Sequence, residues 1–336
     1  MDENIRNLLG DDVNVKVENI DKYIAQQGVV VRFSVGGGRN SYYISPKIYG
    51  VKEDELSDDS KQFMGEHIRD GRISFVPRAY EKKLRAIESK LKKKLREVAV
   101  GYEGSFVPLS SYPELKEYYE ECQDEYFTLR DELVKNYPHM FRHFVEIAKK
   151  SIEDLNAYEA EEELVKIIAK IPNQQKFKES FKMDMAVSGF PTMENLDMFD
   201  VDIQEDIKKG SKKNSSNLVL ETTISVINEG IASLSSVLRS GIKKDGRIHQ
   251  RVLYGVNNGV KRMGEKNIFA NPILDGIKNE MSYISKIEAD SAIELAEKLI
   301  AKLYGYASEL RIEDAIDLSK CPFTEDELIA INKLYS

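Results

Sequence analysis

A chain of 336 residues, 41% hydrophobic and 32% charged, can bury a real core, which excludes an intrinsically disordered chain. A net charge of −8 disfavours the chain as a whole as a nonspecific binder of DNA or of an anionic membrane surface. Cys122 and Cys321 are the only cysteines, so neither a disulfide framework nor a cysteine metal cluster is readable, and no apolar run of about 18 residues is available to span a membrane.

Residues 1–27 read as short helical pieces, with Val17, Ile20, Tyr23 and Ile24 on one small apolar face and Gly28 as the stop. Val29–Val35 is rich in β-branched residues, Gly36–Arg39 is glycine-rich, and Tyr42–Ile44 follows; together they predict strand, turn and strand. The competing phosphate-loop interpretation of Gly36–Arg39 lacks the Gly-Lys-Ser/Thr ending and a following helix. Residues 45–71 predict a polar connection with one short helix, and Arg72–Val76 a strand.

Pro77–Tyr137 predicts two long helices of matched length, folded into an antiparallel hairpin around which the rest of the chain packs. Pro77 suits a first helical turn, and Leu84, Ile87, Leu91, Leu95 and Val98 share one face. Gly101 and Gly104 end that helix; Ser111 and Glu114 form a capping-box pattern for the next. The second apolar face is Leu115, Tyr118, Tyr119, Cys122, Tyr126, Leu129 and Leu133, with an interruption expected at Asn136-Tyr-Pro138. Between Glu81 and Glu97 there are eight basic and three acidic residues, and between Glu114 and Lys135 eight acidic and three basic. The opposite charges are expected to set pairing and orientation, while the apolar seam supplies the stability.

Met140–Ala169 reads as helical, with Phe144, Ile147, Ile152, Leu155, Leu164, Ile167 and Ile168 as packing residues. Ser180–Val187 and Phe199–Ile203 alternate apolar and polar residues, which predicts half-buried strands. Lys208–Asn217 is rich in Lys, Ser and Asn and is expected to be a linker, separating a 1–207 α+β domain from a helical region at 218–336. Beyond it, Leu220, Ile224, Ile227, Ile231, Leu234 and Leu238 form a heptad seam that can close within the chain or between two chains. Ile248–Met263, Ile273–Ile287 and Ser291–Leu310 are further amphipathic segments, and Thr324–Glu327 is a capping box opening a last helix. The predicted fold class is therefore helix-dominated α+β: a small, mostly antiparallel sheet with the long hairpin, plus a C-terminal helical bundle.

Candidate chemistry is sparse. His139 and His143 share a helical face with Glu146 nearby, but Met140 stands where a His-Glu-x-x-His motif needs its general base. Asp197, Asp200, Asp202, Glu205 and Asp206 form an acidic cluster without the Gly and terminal Glu of an EF-hand, so a solvated strand face is expected. His67 and His249 have no readable catalytic partner, and neither a nucleophile elbow nor a dinucleotide fingerprint is present. No catalytic residue, metal ligand or cofactor site is assigned. Lys82, Lys92, Lys93 and Arg96 point away from the seam and are the candidate contact patch, for an acidic protein or for nucleic acid.

Three passages carry a family resemblance: Val31-Arg-Phe-Ser-Val-Gly-Gly-Gly-Arg39; a helix leading to Gly104-Ser-Phe-Val-Pro108 and then an acidic helix ending in Asn136-Tyr137; and the β-like stretch Phe177–Phe190. Residues 29–205 resemble a bacterial and phage domain-of-unknown-function family often encoded beside MoxR-type AAA+ ATPases. Members often have a Trp near the first passage, and this chain has none. The resemblance implies a cytoplasmic mobile-element protein serving an ATPase as adaptor or partner. The resulting expectation is a non-enzymatic protein acting through protein–protein contacts. The alternatives are a nucleic-acid-associated protein using the basic helix at 82–96 and, last, a metal-dependent enzyme.

Overall fold

In the computed structural model the described residues are 20–37, 41–43, 58, 68–69, 72–154, 159–192, 200–240 and 248–335. They are helix-dominated α+β, as the periodicities require. The elements run α1 (Ile20–Gln27), β1 (Gly28–Gly36), β2 (Ser41–Tyr43), β3 (Ile68–Arg69), β4 (Arg72–Ser74), α2 (Arg78–Val98), β5 (Phe106–Pro108), α3 (Tyr112–Asp154), α4 (Glu159–Lys170), α5 (Gln174–Glu179) and β6 (Lys182–Gly189). The C-terminal elements are α6 (Val201–Ser240), α7 (Gln250–Lys266), α8 (Pro272–Met281), α9 (Ala289–Glu309) and α10 (Glu325–Tyr335).

Two units emerge, and neither is continuous in sequence. One comprises the chain up to Val31, Leu95–Leu115 and everything from Val187 onward; the other comprises Arg32–Lys94 and Lys116–Ala186. The expected boundary at 208–217 is not where the chain divides, because those residues lie inside the 40-residue helix α6. Their polar side chains are a helix's exposed turns: Lys212, Lys213 and Asn217 face solvent while Ser211, Ser215 and Leu218 are buried. The predicted strand at 199–203 is likewise the start of α6, with Val201 76% exposed and Gln204 N–H donating to the Asp200 carbonyl at 2.9 Å. Phe199 falls outside the described residues.

The strands form two three-stranded sheets, ordered β5–β1–β6 and β2–β4–β3. β1 and β5 are antiparallel, with Gly28 opposite Pro108 and Val30 opposite Phe106. The strand–turn–strand expected at 29–44 exists as two strands, but β2 pairs with β4 instead of β1 (Tyr42 opposite Ile73). Gly37 has φ +98°, and a Cβ there would lie 1.9 Å from the Ser180 carbonyl oxygen. Only glycine permits both that backbone angle and that approach.

In the hairpin-bearing unit, Leu84, Ile87 and Leu91 of α2 share one buried cluster with Tyr119, Cys122, Tyr126, Leu129 and Leu133 of α3. Pairs Tyr80–Glu132, Lys90–Glu125 and Lys94–Tyr118 show the two helices running antiparallel. Their lengths do not match: α2 has 21 residues and α3 has 43. The expected break at Pro138 does not occur. Proline removes one backbone donor, which leaves the Val134 carbonyl without its intrahelical partner. The Gln174 side-chain amide donates to that carbonyl at 2.8 Å, and the Tyr137 hydroxyl donates to the Pro172 carbonyl, so α5 supplies what the proline takes away.

In the other unit α6 is the central helix. Val226, Ile227, Ile231, Leu234 and Val237 are buried against residues of α7, α8 and α9, including Val256, Met263, Leu299 and Leu303. The heptad seam at 220–238 therefore closes within the chain, and its most buried residues present no surface to a second copy. α6 and α7 cross closely at Gly259, where a Cβ would lie 2.1 Å from Ser233 Oγ. A second, smaller cluster joins Ile20, Ile24, Val30, Phe106, Phe190, Leu218 and Phe269.

Candidate functional site

The candidate contact residues all lie on α2. Lys82, Lys92, Lys93 and Arg96 are exposed there. With Leu84, Ile87 and Leu91 facing the core, helical geometry puts Lys82 and Lys93 directly opposite, about 16 Å apart along the axis. Lys92 is paired within its own helix to Glu88 at 2.8 Å, and Arg85 lies 3.9 Å from Glu81. Lys82, Lys93 and Arg96 have no ion-pair partner among the described residues.

Cancellation of charge between the two helices is thus only part of the electrostatics. The Lys90 ammonium meets Glu125 across the hairpin at 3.1 Å, with both side chains about half exposed. Lys94 sits over the Tyr118 ring and Lys83 over that of Tyr80. Hydrogen bonding to Glu125, and its charge, raise the Lys90 pKa above the ordinary lysine range. The α3 acids Glu117, Glu120, Glu121 and Asp124 remain on exposed positions. Beneath them, burial pushes the Cys122 thiol up, and the Tyr119 hydroxyl and Gln123 amide both donate to the Met183 carbonyl, at 2.9 and 3.0 Å.

The other predicted positions are not assembled into chemistry. His139 and His143 stack on α3 at 6.0 Å between ring centres, and among the described residues no group of three His, Cys, Asp or Glu is arranged to hold a metal ion. Asp200, Asp202, Glu205 and Asp206 are exposed at the start of α6, where carboxylates favour the helix dipole; they are solvated, but on a helix and not on a strand. Asp197 and His67 lie outside the described residues. Of the capping boxes, Thr324–Glu327 is formed: Glu327 accepts from the Thr324 N–H at 2.8 Å and hydroxyl at 3.0 Å. At the start of α3, Glu114 reaches Lys261 at 3.2 Å, and the Ser111 hydroxyl donates to Glu265 at 3.4 Å.

Two polar groupings have no signature in the sequence. Glu229 of α6 meets Lys266 at 3.2 Å and Arg262 at 3.4 Å, and the Lys266 side chain is only 8% exposed. A cleft of about 540 Å³ opens where α6 ends and α7 begins, lined in part by Ser235, Arg239, His249, Arg251 and Lys320. These residues come from three segments up to 85 positions apart, so no local pattern could have revealed them. His249, which has no readable partner in the sequence, here precedes the first residue of α7 and makes no side-chain cap bond.

No protein-family model matches the chain, and no curated protein or solved structure does so either. No described helix is long and apolar enough to cross a membrane.

Proposed function

We propose that the protein is a non-enzymatic interaction scaffold whose helix α2 offers its outer basic face to an acidic protein surface. The observation that carries this is the position of Lys82 and Lys93. They are exposed, opposite the packed seam and, among the described residues, without an ion-pair partner, while Arg85, Lys90, Lys92 and Lys94 of the helix are engaged with Glu81, Glu125, Glu88 and a tyrosine ring. A helix held along one face by a dense aromatic and aliphatic cluster presents the opposite charges at fixed spacing, which favours steering and register over raw affinity. The partner we propose is a MoxR-type AAA+ ATPase of the same mobile element; its support is the resemblance of residues 29–205 alone.

The test is affinity capture from native cells with the full chain and with a Lys82→Glu/Lys93→Glu variant. The expected result is recovery of an AAA+ ATPase by the wild-type chain, at an affinity that falls with salt, and its loss from the variant without loss of fold. Equal recovery by both chains removes the basic face from the interaction. Recovery of nucleic acid, with a steep salt dependence, replaces the scaffold by the nucleic-acid alternative.

A further inference from the structure

The cleft between the end of α6 and the start of α7 has the composition of an anion site. Arg239, Arg251 and Lys320 bring three cationic side chains to it, His249 adds an imidazole, and among the described residues no carboxylate lines it. α7 is a 17-residue helix whose N-terminus faces this region through His249 and Arg251. The N–H groups of Val252 and Leu253 return to the His249 carbonyl, which leaves those of Gln250 and Arg251 in the first turn as donors for a ligand.

Ser235 gives a second, independent indication. It is 1% exposed, lines the same cleft, and its hydroxyl has no hydrogen-bond partner. A buried hydroxyl without a partner is destabilising, so an acceptor oxygen brought by a ligand would relieve a penalty the fold already carries. Arg239 Nη2 donates to the Ser319 carbonyl at 3.1 Å, which fixes the guanidinium at the rim beside Lys320. The Asp317 carboxylate is not part of the lining; it accepts from the Ser319 N–H at 3.0 Å and interacts with the Lys320 charge.

From this arrangement we infer that the cleft binds the phosphate of a small phosphorylated organic molecule. Two guanidinium forks, an ammonium and helix N–H groups suit a tetrahedral dianion; a single carboxylate would leave most of them unanswered. The volume lies within the roughly 300–1,000 Å³ of small-molecule sites, and Ala232, Val252 and Gly255 add apolar wall for a carbon skeleton. This site is separate from the basic face of α2 and does not depend on that proposal.

Titration calorimetry and ³¹P spectra of the full chain with inorganic phosphate, adenosine monophosphate and citrate test the assignment. The expected result is saturable one-site binding of the nucleotide, tighter than that of free phosphate. Ser235→Ala and Arg251→Ala should each weaken it about ten-fold or more while circular dichroism stays at wild type and the melting temperature does not fall; Ser235→Ala, which removes the unpartnered buried hydroxyl, should raise it. Because Ser235 lacks a protein partner, its replacement separates ligand binding from folding; Arg251→Lys, which keeps the charge and loses the fork, should also bind more weakly. Any of four results overturns the inference: no saturable binding of the nucleotide at millimolar concentration, equal affinity for nucleotide and free phosphate, citrate binding as tight as the nucleotide, or unchanged affinity in both alanine variants.

Discussion

Replacing Glu229 with Gln should destabilise the α6–α7 contact far more than any charge change on the helical hairpin. Glu229 Oε2 lies 3.2 Å from Lys266 Nζ, and the two side chains are 15% and 8% exposed. At an effective dielectric constant near 20 the attraction at that distance is about 5 kcal/mol, much of it offset by the loss of hydration. Removing one partner leaves the other charge buried and unpaired, which costs roughly 3–5 kcal/mol. The low end applies, because Glu229 retains some contact with water and Arg262 is itself 41% exposed. About 3 kcal/mol in a unit of this size lowers the melting temperature by roughly 6–12 °C. The control is Glu125→Gln, which breaks the half-exposed pair with Lys90 and should cost about 1 kcal/mol or less. Urea unfolding monitored by circular dichroism measures both, and a Glu229→Met/Lys266→Met double variant should recover most of the loss by replacing the pair with apolar volume. Equal costs for Glu229→Gln and Glu125→Gln would refute the reasoning, since Glu229 is the more buried acid and holds two cations where Glu125 holds Lys90.

Gly259→Ala forces a methyl group to within 2.1 Å of Ser233 Oγ at the same helix crossing, and should destabilise by about 1–3 kcal/mol; Gly255→Ala, four residues away with open space, should not. Cys321 should react with a thiol reagent at neutral pH while Cys122 stays protected until the fold opens, because burial holds the Cys122 thiol above its ordinary range. The carboxyl of Glu327 is held below the ordinary range by the Thr324 N–H and hydroxyl. A depressed acid contributes stability that is complete above its unfolded pKa and lost as pH falls through the folded one, so amide exchange in the first turn of α10 should accelerate on acidification, and Thr324→Ala, which removes the hydroxyl but keeps the backbone N–H, should reduce that dependence. Gln174→Ala should loosen α3 around Pro138, seen as faster exchange of amides flanking Val134 with little change in global stability, because water can reach the freed carbonyl.

The sequence by itself determined what depends on residues within one or two turns of each other. The three-and-four spacing of Leu84, Ile87 and Leu91 fixed the inner face of α2, and with it the exposure of Lys82 and Lys93 on the other side. Alternation put Met183 inside and Asp184 outside on β6, and the Thr324–Glu327 pattern became a real cap. Tertiary structure decided everything that needed a partner from elsewhere in the chain. Pro138 breaks no helix because Gln174, 36 residues on, bonds the carbonyl it orphans. Lys208–Asn217 has a linker's composition, yet continues a helix whose small Ser211 and Ser215 are buried. β2 left β1 for β4, as a short strand's pairing is set by which edge lies open to it. The Glu229–Lys266 pair and the Ser235–Arg239–Arg251–Lys320 cleft arise only once α6, α7 and the segment before α10 meet, because Coulomb attraction and burial follow distance in space and leave no trace in local spacing.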